Sequence, residues 1–463
     1  MTDREHDWGA GLHDVPQALH TTPEMRRIFE GPERVRRMFA FEAALARAES
    51  RAGLVPPEVA ERIASAAEDP RDLDLTGLSE QARVSGVITV PVIAALRERV
   101  DDEARRYVHL GATSQDLVDT VMVLQAREAL GVLIDDLLAI GDACAELASR
   151  HAATPMIGRT LMQQAIPITF GLKAAQWLAA ADGQARRLAD LVDRELALQF
   201  GGAAGTLASL GEDGPRVAEL LGEELDLPVP DLPWHSDRSR VATVGSALAV
   251  TAGAMAKIGY DVVLLMQNEV AEAVEDAAGG KGRSSAMPHK RNPTETLATL
   301  ASQRLAHGHV TTLLGGMTIE HERSVGSWQT EWTTVPALFE VTGSAVAGIR
   351  ATLAGLDVRA DRMRATIDAA GGLPMAESLA RALTPALGAE EAHHIVSELS
   401  ERAVAAGAHL ADAAAEDTRV TAHLPDEALA TALDPLSYRG SADVFVERAL
   451  SGHRRTREAL RRS

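Results

Sequence analysis

The sequence predicts an all-α protein built around a bundle of long helices. Three observations carry that prediction. Four long stretches, about 117–153, 167–198, 240–276 and 294–330, have no internal proline, and proline is the residue that most reliably interrupts a helix. No stretch alternates apolar and polar residues convincingly, as a half-buried strand would. Alanine and leucine dominate while aromatic residues make up only 3%, a composition that favours helix.

Taken in order, residues 1–30 read as polar and irregular. Pro32 then opens a helical run in which Val35, Met38, Phe39 and Leu45 share one face. Gly53 and the Pro56–Pro57 pair end it. Shorter helical pieces continue to about residue 110. In the first long stretch Val121, Leu124, Leu130, Leu133, Leu137 and Ile140 recur at helical spacing. Helices of this length exceed the ordinary globular range and need partners on more than one side, which predicts an elongated bundle and an oligomer. Beyond about 356 the helices shorten, with turns at Gly371–Gly372 and Pro425. The expected division is an N-terminal helical domain over 1–112, a central long-helix domain over 113–355 and a C-terminal helical domain over 356–463.

Composition excludes several classes. A net charge of −20 argues against nucleic acid as a partner. Cys144 is the only cysteine, so no intrachain disulfide and no Cys-based metal cluster can form. Met1 to Glu5 lead into no apolar run, so no signal peptide is expected. No stretch approaches the ~18 apolar residues of a membrane span. The expectation is a cytoplasmic protein with no membrane partner.

The chemistry concentrates in one loop, Gly279 to Pro293. Glycines 279, 280 and 282 open it and Pro288 and Pro293 close it, so it is neither helix nor strand interior. It carries the pair Ser284–Ser285, then His289, Lys290, Arg291 and Asn292, with Arg283 just before the pair. A serine acts as a base only as an alkoxide. Nearby cations and oriented N–H donors are what bring its proton within reach. Two further polar clusters lie beside the long stretches. His109 to Asp116 precedes the first, where Thr113 or Ser114 is a natural N-cap and a helix N-terminus attracts anions. Gly158 to Gln164 reads as a loop with a surface arginine, Arg159.

These three clusters, in this order, resemble the signature regions of the fumarase/aspartase superfamily, and the resemblance covers nearly the whole chain. Within it the sequence most resembles the 3-carboxy-cis,cis-muconate cycloisomerase branch, which includes nitrosuccinate lyase-like members. The matching stretches are Tyr107–His109 with Gly111–Asp116, Gln199–Gly205, Pro233–His235, Leu264–Gln267, Met287–Pro293, Glu320–Arg323, Trp328 and Glu331–Trp332. The resemblance implies three helical domains, a homotetramer, and active sites that each take one signature region from three subunits. It implies Ser284 as the catalytic base, with Lys290 and Asn292 binding the carboxylate beside the carbon that loses its proton. Thr113 and Ser114 would hold the other carboxylate, and Thr160 and Gln163 would line the site. Arg283, Arg238 and His109 are further substrate-binding candidates. His235 and His289 are weighed against surface or loop roles, and Glu322 with Arg323 is expected to form a structural ion pair. No cofactor and no metal is implied.

Departures from the family narrow the reaction. Many members have histidine where Leu161 stands, to protonate a leaving amine. Without it the leaving group should be stable as an anion. Cycloisomerases usually have tryptophan at the positions of Leu110 and Leu161, asparagine at Val87 and glycine at Arg283. The expected substrate is therefore a small di- or tricarboxylate. The preferred reading is β-elimination from a succinate skeleton, nitrosuccinate giving fumarate and nitrite. The alternatives are 3-carboxy-cis,cis-muconate cycloisomerase, which forms a lactone, and a helical scaffold that has lost catalysis.

Overall fold

The computed structural model describes residues 14–276 and 280–461. The chain is all-α, and among the described residues five helices reach 22 residues or more. They are α1 Ser114–Arg150, α2 Phe170–Glu195, α3 Ser239–Met266, α4 Thr294–Gly315 and α5 Ser327–Ala354. The first unit takes in residues through Asp135, Ala185–Gly253 and Ala298–Ala347; the second takes in Asp136–Gln184, Ala254–Leu297 and Gly348 onward. Each long helix contributes residues to both units.

In the first unit the core is aliphatic, with Leu117, Leu130, Leu133, Leu248 and Leu338 buried. Phe29 stacks on Phe339 with ring centroids 5.2 Å apart. The helix Gly31–Arg51 starts where Pro32 predicts and buries Val35, Met38, Phe39 and Leu45. In the second unit Phe170 meets Trp177 edge to face at 5.7 Å, and Trp177 donates its indole N–H to Asp261 at 2.7 Å. A separate apolar cluster of this unit gathers Leu379, Leu383, Ile395, Leu399, Leu410 and Val420. The last helix, Ala442–Leu460, is clasped by His453, whose ring nitrogens meet Asp182 at 2.8 Å and Asp142 at 2.9 Å.

Several expectations need correction. Residues 23–29 are a helix, capped by the Thr22 hydroxyl, and Met25, Ile28 and Phe29 are buried. The stretch 294–330 is not one helix. It breaks after Gly315, resumes at Ser327, and runs to Ala354 straight through Pro336. Proline has no N–H for the carbonyl four residues back. Here that carbonyl, of Trp332, accepts from the Arg34 guanidinium instead, at 3.4 Å. Strand is not absent either: β1 Pro155–Thr160 pairs antiparallel with β2 Gln163–Thr169, and the short β3 Ala273–Val274 pairs with β4 Asp357–Val358. By length and composition α3 does qualify as a membrane span. Yet 56% of its most apolar window is buried within the protein, as in a core helix.

Candidate active site

In the first unit the corner around Thr113 is built on one aspartate. Asp116 is fully buried in the first turn of α1. Its Oδ2 accepts the N–H of Thr113 at 3.0 Å and of Gly202 at 2.9 Å. Its Oδ1 accepts from Gly201 N–H at 2.9 Å and Gln199 at 3.1 Å, and lies 2.7 Å from His235 Nε2. Asp116 thus satisfies the helix-start donor that a capping box would satisfy and pins the Gln199–Gly202 segment beside it. Thr113 Oγ1 accepts from Arg323 at 3.2 Å, and Arg323 also donates to the carbonyls of Gly202 and Ala203. The expected Glu322–Arg323 ion pair does not form among the described residues, because Arg323 is spent on these oxygens. The Ser114 carbonyl accepts the Thr89 hydroxyl at 3.4 Å.

His109 sits in a left-handed turn with φ 64°. Its Nδ1 is 2.7 Å from Glu42 Oε1. Burial works to lower its pKa, but the Glu42 carboxylate and, more weakly, Asp116 raise it overall. Its ring is held as a partner of Glu42.

Arg238 and His235 are not free for a ligand. Arg238 is 1% exposed. Its Nε and Nη2 donate to the two oxygens of Glu331, and both Nη atoms donate to Asp119 at 2.8 and 3.1 Å. Nη1 also reaches the Trp234 carbonyl at 3.5 Å. All five N–H groups of the guanidinium are thereby used. Its expected role in binding substrate is corrected to that of a buried ionic tie, to which Trp328 adds an indole N–H on Asp119 at 2.9 Å.

In the second unit the Gly158–Gln164 cluster is a hairpin rather than a loop. Thr160 and Gln163 form its last pair, and Leu161 and Met162 make the turn with φ of 51° and 65°. Two positive φ values suit the right-handed twist of a two-residue hairpin. The turn is 96% and 70% exposed at its two apolar residues. Arg159 is not a surface arginine in isolation: it donates to both oxygens of the fully buried Glu272, at 2.7 and 2.9 Å.

The serine-pair segment is a loop, as expected, with a tied neck. Gly279 lies outside the described residues. The Asn292 N–H donates to the Gly282 carbonyl at 2.9 Å, and Arg283 bridges Arg291. Gly282 has φ 65°, and a Cβ there would fall 2.3 Å from the Asn292 oxygen, so only glycine fits. The loop gathers Arg283, Ser284, Lys290 and Asn292 in one hairpin. Ser284 Oγ accepts two backbone N–H groups, from Met287 at 3.1 Å and Ala286 at 3.4 Å. His289 and Lys290 are exposed. Among the described residues of this unit, no hydrogen bond or ion pair joins Thr160 or Gln163 to this loop. Ser284, Lys290 and Asn292 thus share one loop, while Thr113 and Ser114 stand at the start of α1 with His109 in the turn before it. Asp116 and Glu331 lie in the matching stretches but were given no role from the sequence, and Asp119 and Glu42 were not singled out at all. The spacing of Asp116 and Asp119 on one helix face is the signal that marks them. Among the described residues no group of His, Cys, Asp and Glu is placed to hold a metal ion.

A family model described as Lyase matches residues 18–304, and a second, Adenylosuccinate lyase C-terminus, matches 372–449. The chain belongs to the fumarase/aspartase superfamily of lyases. Among superfamily members, it is 44% identical to a 3-carboxy-cis,cis-muconate cycloisomerase of Bradyrhizobium diazoefficiens, over 92% of this chain and 95% of that one. It is 41% identical to a nitrosuccinate lyase of Streptomyces davaonensis, over 90% of each chain. Among solved superfamily structures, the 3-carboxy-cis,cis-muconate lactonizing enzyme of Pseudomonas putida superposes with a TM-score of 0.91 at 42% identity, covering 96% of this chain and 99% of that one. A fumarate lyase from Mesorhizobium sp. BNC1 superposes at 0.88 with 36% identity, covering 94% and 98%.

Proposed function

We propose that this superfamily lyase uses Ser284 to move a proton at the carbon beside a substrate carboxylate. The observation that carries the reading is the pair of backbone N–H groups donating to Ser284 Oγ. Donors fixed on that oxygen favour the alkoxide over the hydroxyl, as oxyanion-hole donors favour developing charge. Lys290, in the same loop, adds positive charge for the carboxylate, and Asn292 adds an amide donor. Loss of the proton there gives a carbanion whose charge spreads onto the carboxylate oxygens, which these two groups would hold. Thr113 and Ser114, at the start of α1, would receive a second carboxylate. Arg283 and the exposed Thr160 and Gln163 would complete the site.

The preference between reactions shifts from the expectation. Cycloisomerases at 44% and 43% identity over 92% and 96% of the chain favour lactone formation over nitrosuccinate cleavage. In that reaction an internal carboxylate oxygen adds to a carbon–carbon double bond. The neutral Ser284 hydroxyl then gives its proton to the neighbouring carbon. In the reverse direction the alkoxide takes it back. Nitrosuccinate cleavage is kept as the second reading, because Arg283, Leu110, Leu161 and Val87 depart from the cycloisomerase pattern.

We further propose a homotetramer in the cytoplasm, with three domains over 1–112, 113–355 and 356–463, and each site taking one region from each of three copies. The exposed hairpin turn and the exposed apolar residues Val250 and Leu305 on α3 and α4 support association. The deciding assay offers the pure protein 3-carboxymuconate and nitrosuccinate. Loss of muconate absorbance without nitrite is expected. Nitrite and fumarate from the second compound, with no lactone from the first, would reverse the choice. Ser284→Ala is expected to lose roughly 10²–10⁴-fold in kcat, and an unimpaired variant would end the base assignment.

A further inference from the structure

The imidazole of His109 is held at one nitrogen and open at the other. Its Nδ1 lies 2.7 Å from Glu42 Oε1, and Glu42 is 1% exposed in the middle of the helix Gly31–Arg51. An ionised carboxylate only accepts, so Nδ1 carries a hydrogen and donates it. Among the described residues Nε2 has no hydrogen-bond partner, and the side chain keeps 13% of its surface open to water. The turn that carries the ring is fixed on both sides. Arg97 donates to the Val108 carbonyl at 3.0 Å, and the Leu110 N–H bonds the Tyr107 carbonyl at 3.2 Å. His109 itself takes a positive φ that a side chain adopts only at some cost.

The charge of the ring decides what Nε2 can do. With Nδ1–H fixed on Glu42, a neutral imidazole presents a lone pair at Nε2, which repels an anion. The imidazolium presents a charged N–H there instead. Three charged groups on three elements act on that choice: Glu42 from its helix, Asp116 from the first turn of α1, and Arg97 from the helix Thr89–Glu98. Burial and Arg97 disfavour the imidazolium, but the two carboxylates outweigh them, Glu42 foremost. Glu49, further along the Glu42 helix, is kept protonated by burial and by the Glu42 charge, so it adds no second negative charge there. Asp116 is also the residue whose Oδ2 holds the Thr113 N–H. The ring therefore stands within electrostatic reach of the start of α1, where a substrate carboxylate is proposed to sit.

We propose that Glu42 is a positioning residue: it holds the His109 ring and keeps both its nitrogens protonated, so that Nε2–H serves a substrate carboxylate as a charged donor. The inference rests on the lyase reading of Thr113 and Ser114, and deepens it by naming what supplies positive charge to that corner. Thr113 and Ser114 offer neutral hydroxyls, and Arg323 is taken up by Thr113 Oγ1 and two carbonyls. His109 is a cation with a donor to spare beside them.

The test is calorimetric binding of succinate, an unreactive dicarboxylate, to the full chain from about pH 6 to 9, a range in which ordinary carboxyl groups are already ionised. Wild-type affinity is expected to hold below the titration of His109 and to fall as pH rises through it, by up to about ten-fold per pH unit. Glu42→Gln is expected to move that fall lower by about one pH unit or more, and Glu42→Asp, which keeps the charge, to return part of the shift. His109→Asn is expected to abolish the fall and to weaken binding about ten-fold at the acid end. The ring carbon of labelled histidine, read by nuclear magnetic resonance and assigned through His109→Asn, reports the same titration without ligand. If Glu42 only fills the core, Glu42→Gln lowers the melting temperature and leaves both titrations in place, which overturns the proposal. It is equally overturned by a fall that persists in His109→Asn, or by a wild type that does not bind succinate. Should Glu42→Gln not fold, His109→Asn and Glu42→Asp decide in the same way. Succinate undergoes no reaction, so a protein inert toward both candidate substrates would sink the proposed function while these titrations are still read. An active enzyme whose succinate affinity ignores His109 would sink this inference alone.

Discussion

The buried carboxylate of Glu275 accepts the backbone N–H of Thr296 at 3.0 Å and that of Glu295 at 3.3 Å. Glu275 stands where the chain enters the serine-pair loop, and these two N–H groups belong to the first turn of α4, where it leaves. One side chain therefore closes the neck of the loop while capping a helix whose first N–H groups have no internal partner.

Glu275→Ala is expected to lower stability by about 1–2 kcal/mol, the scale of a lost cap. Because the neck opens, kcat should fall as well, with the far-ultraviolet spectrum unchanged. Chemical denaturation and steady-state kinetics on the same preparation check both. A variant with full activity would separate the cap from the loop.

Gly282 makes a narrower demand on that loop. Alanine there would combine a positive φ with a Cβ too close to the Asn292 oxygen. Gly282→Ala is expected to cost activity by about ten-fold or more through misplaced groups, yet to leave the melting temperature within about 2 °C, since the loop surface is exposed. Equal kinetics for variant and wild type would show that the neck tolerates a different path.

Arg238 predicts the opposite balance. Removing its guanidinium leaves Asp119 and Glu331 as uncompensated buried carboxylates. Arg238→Met is expected to cost about 3–5 kcal/mol, read as a shift in the denaturation midpoint. A loss under about 1 kcal/mol would mean that the two carboxylates find protons or other partners at little cost.

Glu49 supplies a pH signature. It lies two helical turns after Glu42, is fully buried, and neither of its oxygens has a partner. Burial first, and the Glu42 charge second, push its carboxyl up to about 9. An unfolded glutamate titrates at about 4.3. Between those values the folded chain keeps a proton that the unfolded chain has released, so stability falls as pH rises and levels off above about 9. The raised pKa of His109 adds a fall of the same sign above about 6.5, ending at its folded value. Glu49→Gln is expected to flatten the decline and to melt higher than wild type at about pH 8. Thermal scans across this range decide it, and parallel curves would refute the assignment.

What could be read from the sequence depended on how local its cause was. The serine-pair loop was legible because glycines and prolines forbid anything else there. Helices without proline were legible for the complementary reason, and α5 was missed because it contains Pro336, whose missing bond leaves a carbonyl for Arg34. The hairpin carrying Thr160 was missed because its strands do not alternate cleanly. Arg238 was misread because its partners lie about a hundred residues away in either direction. A lone arginine in a sequence carries no mark of whether a carboxylate has already claimed it.

The fork between Arg159 and Glu272 has a consequence for how this protein can change. Neither residue has another salt bridge among the described residues, Lys173 acting on Glu272 only from longer range, and Glu272 has no access to water. Either one replaced alone strands the other. Two simultaneous replacements by well-fitted apolar residues could cost little. Any drift at these positions should then be paired, and a library randomising both codons should recover matched survivors far more often than single ones.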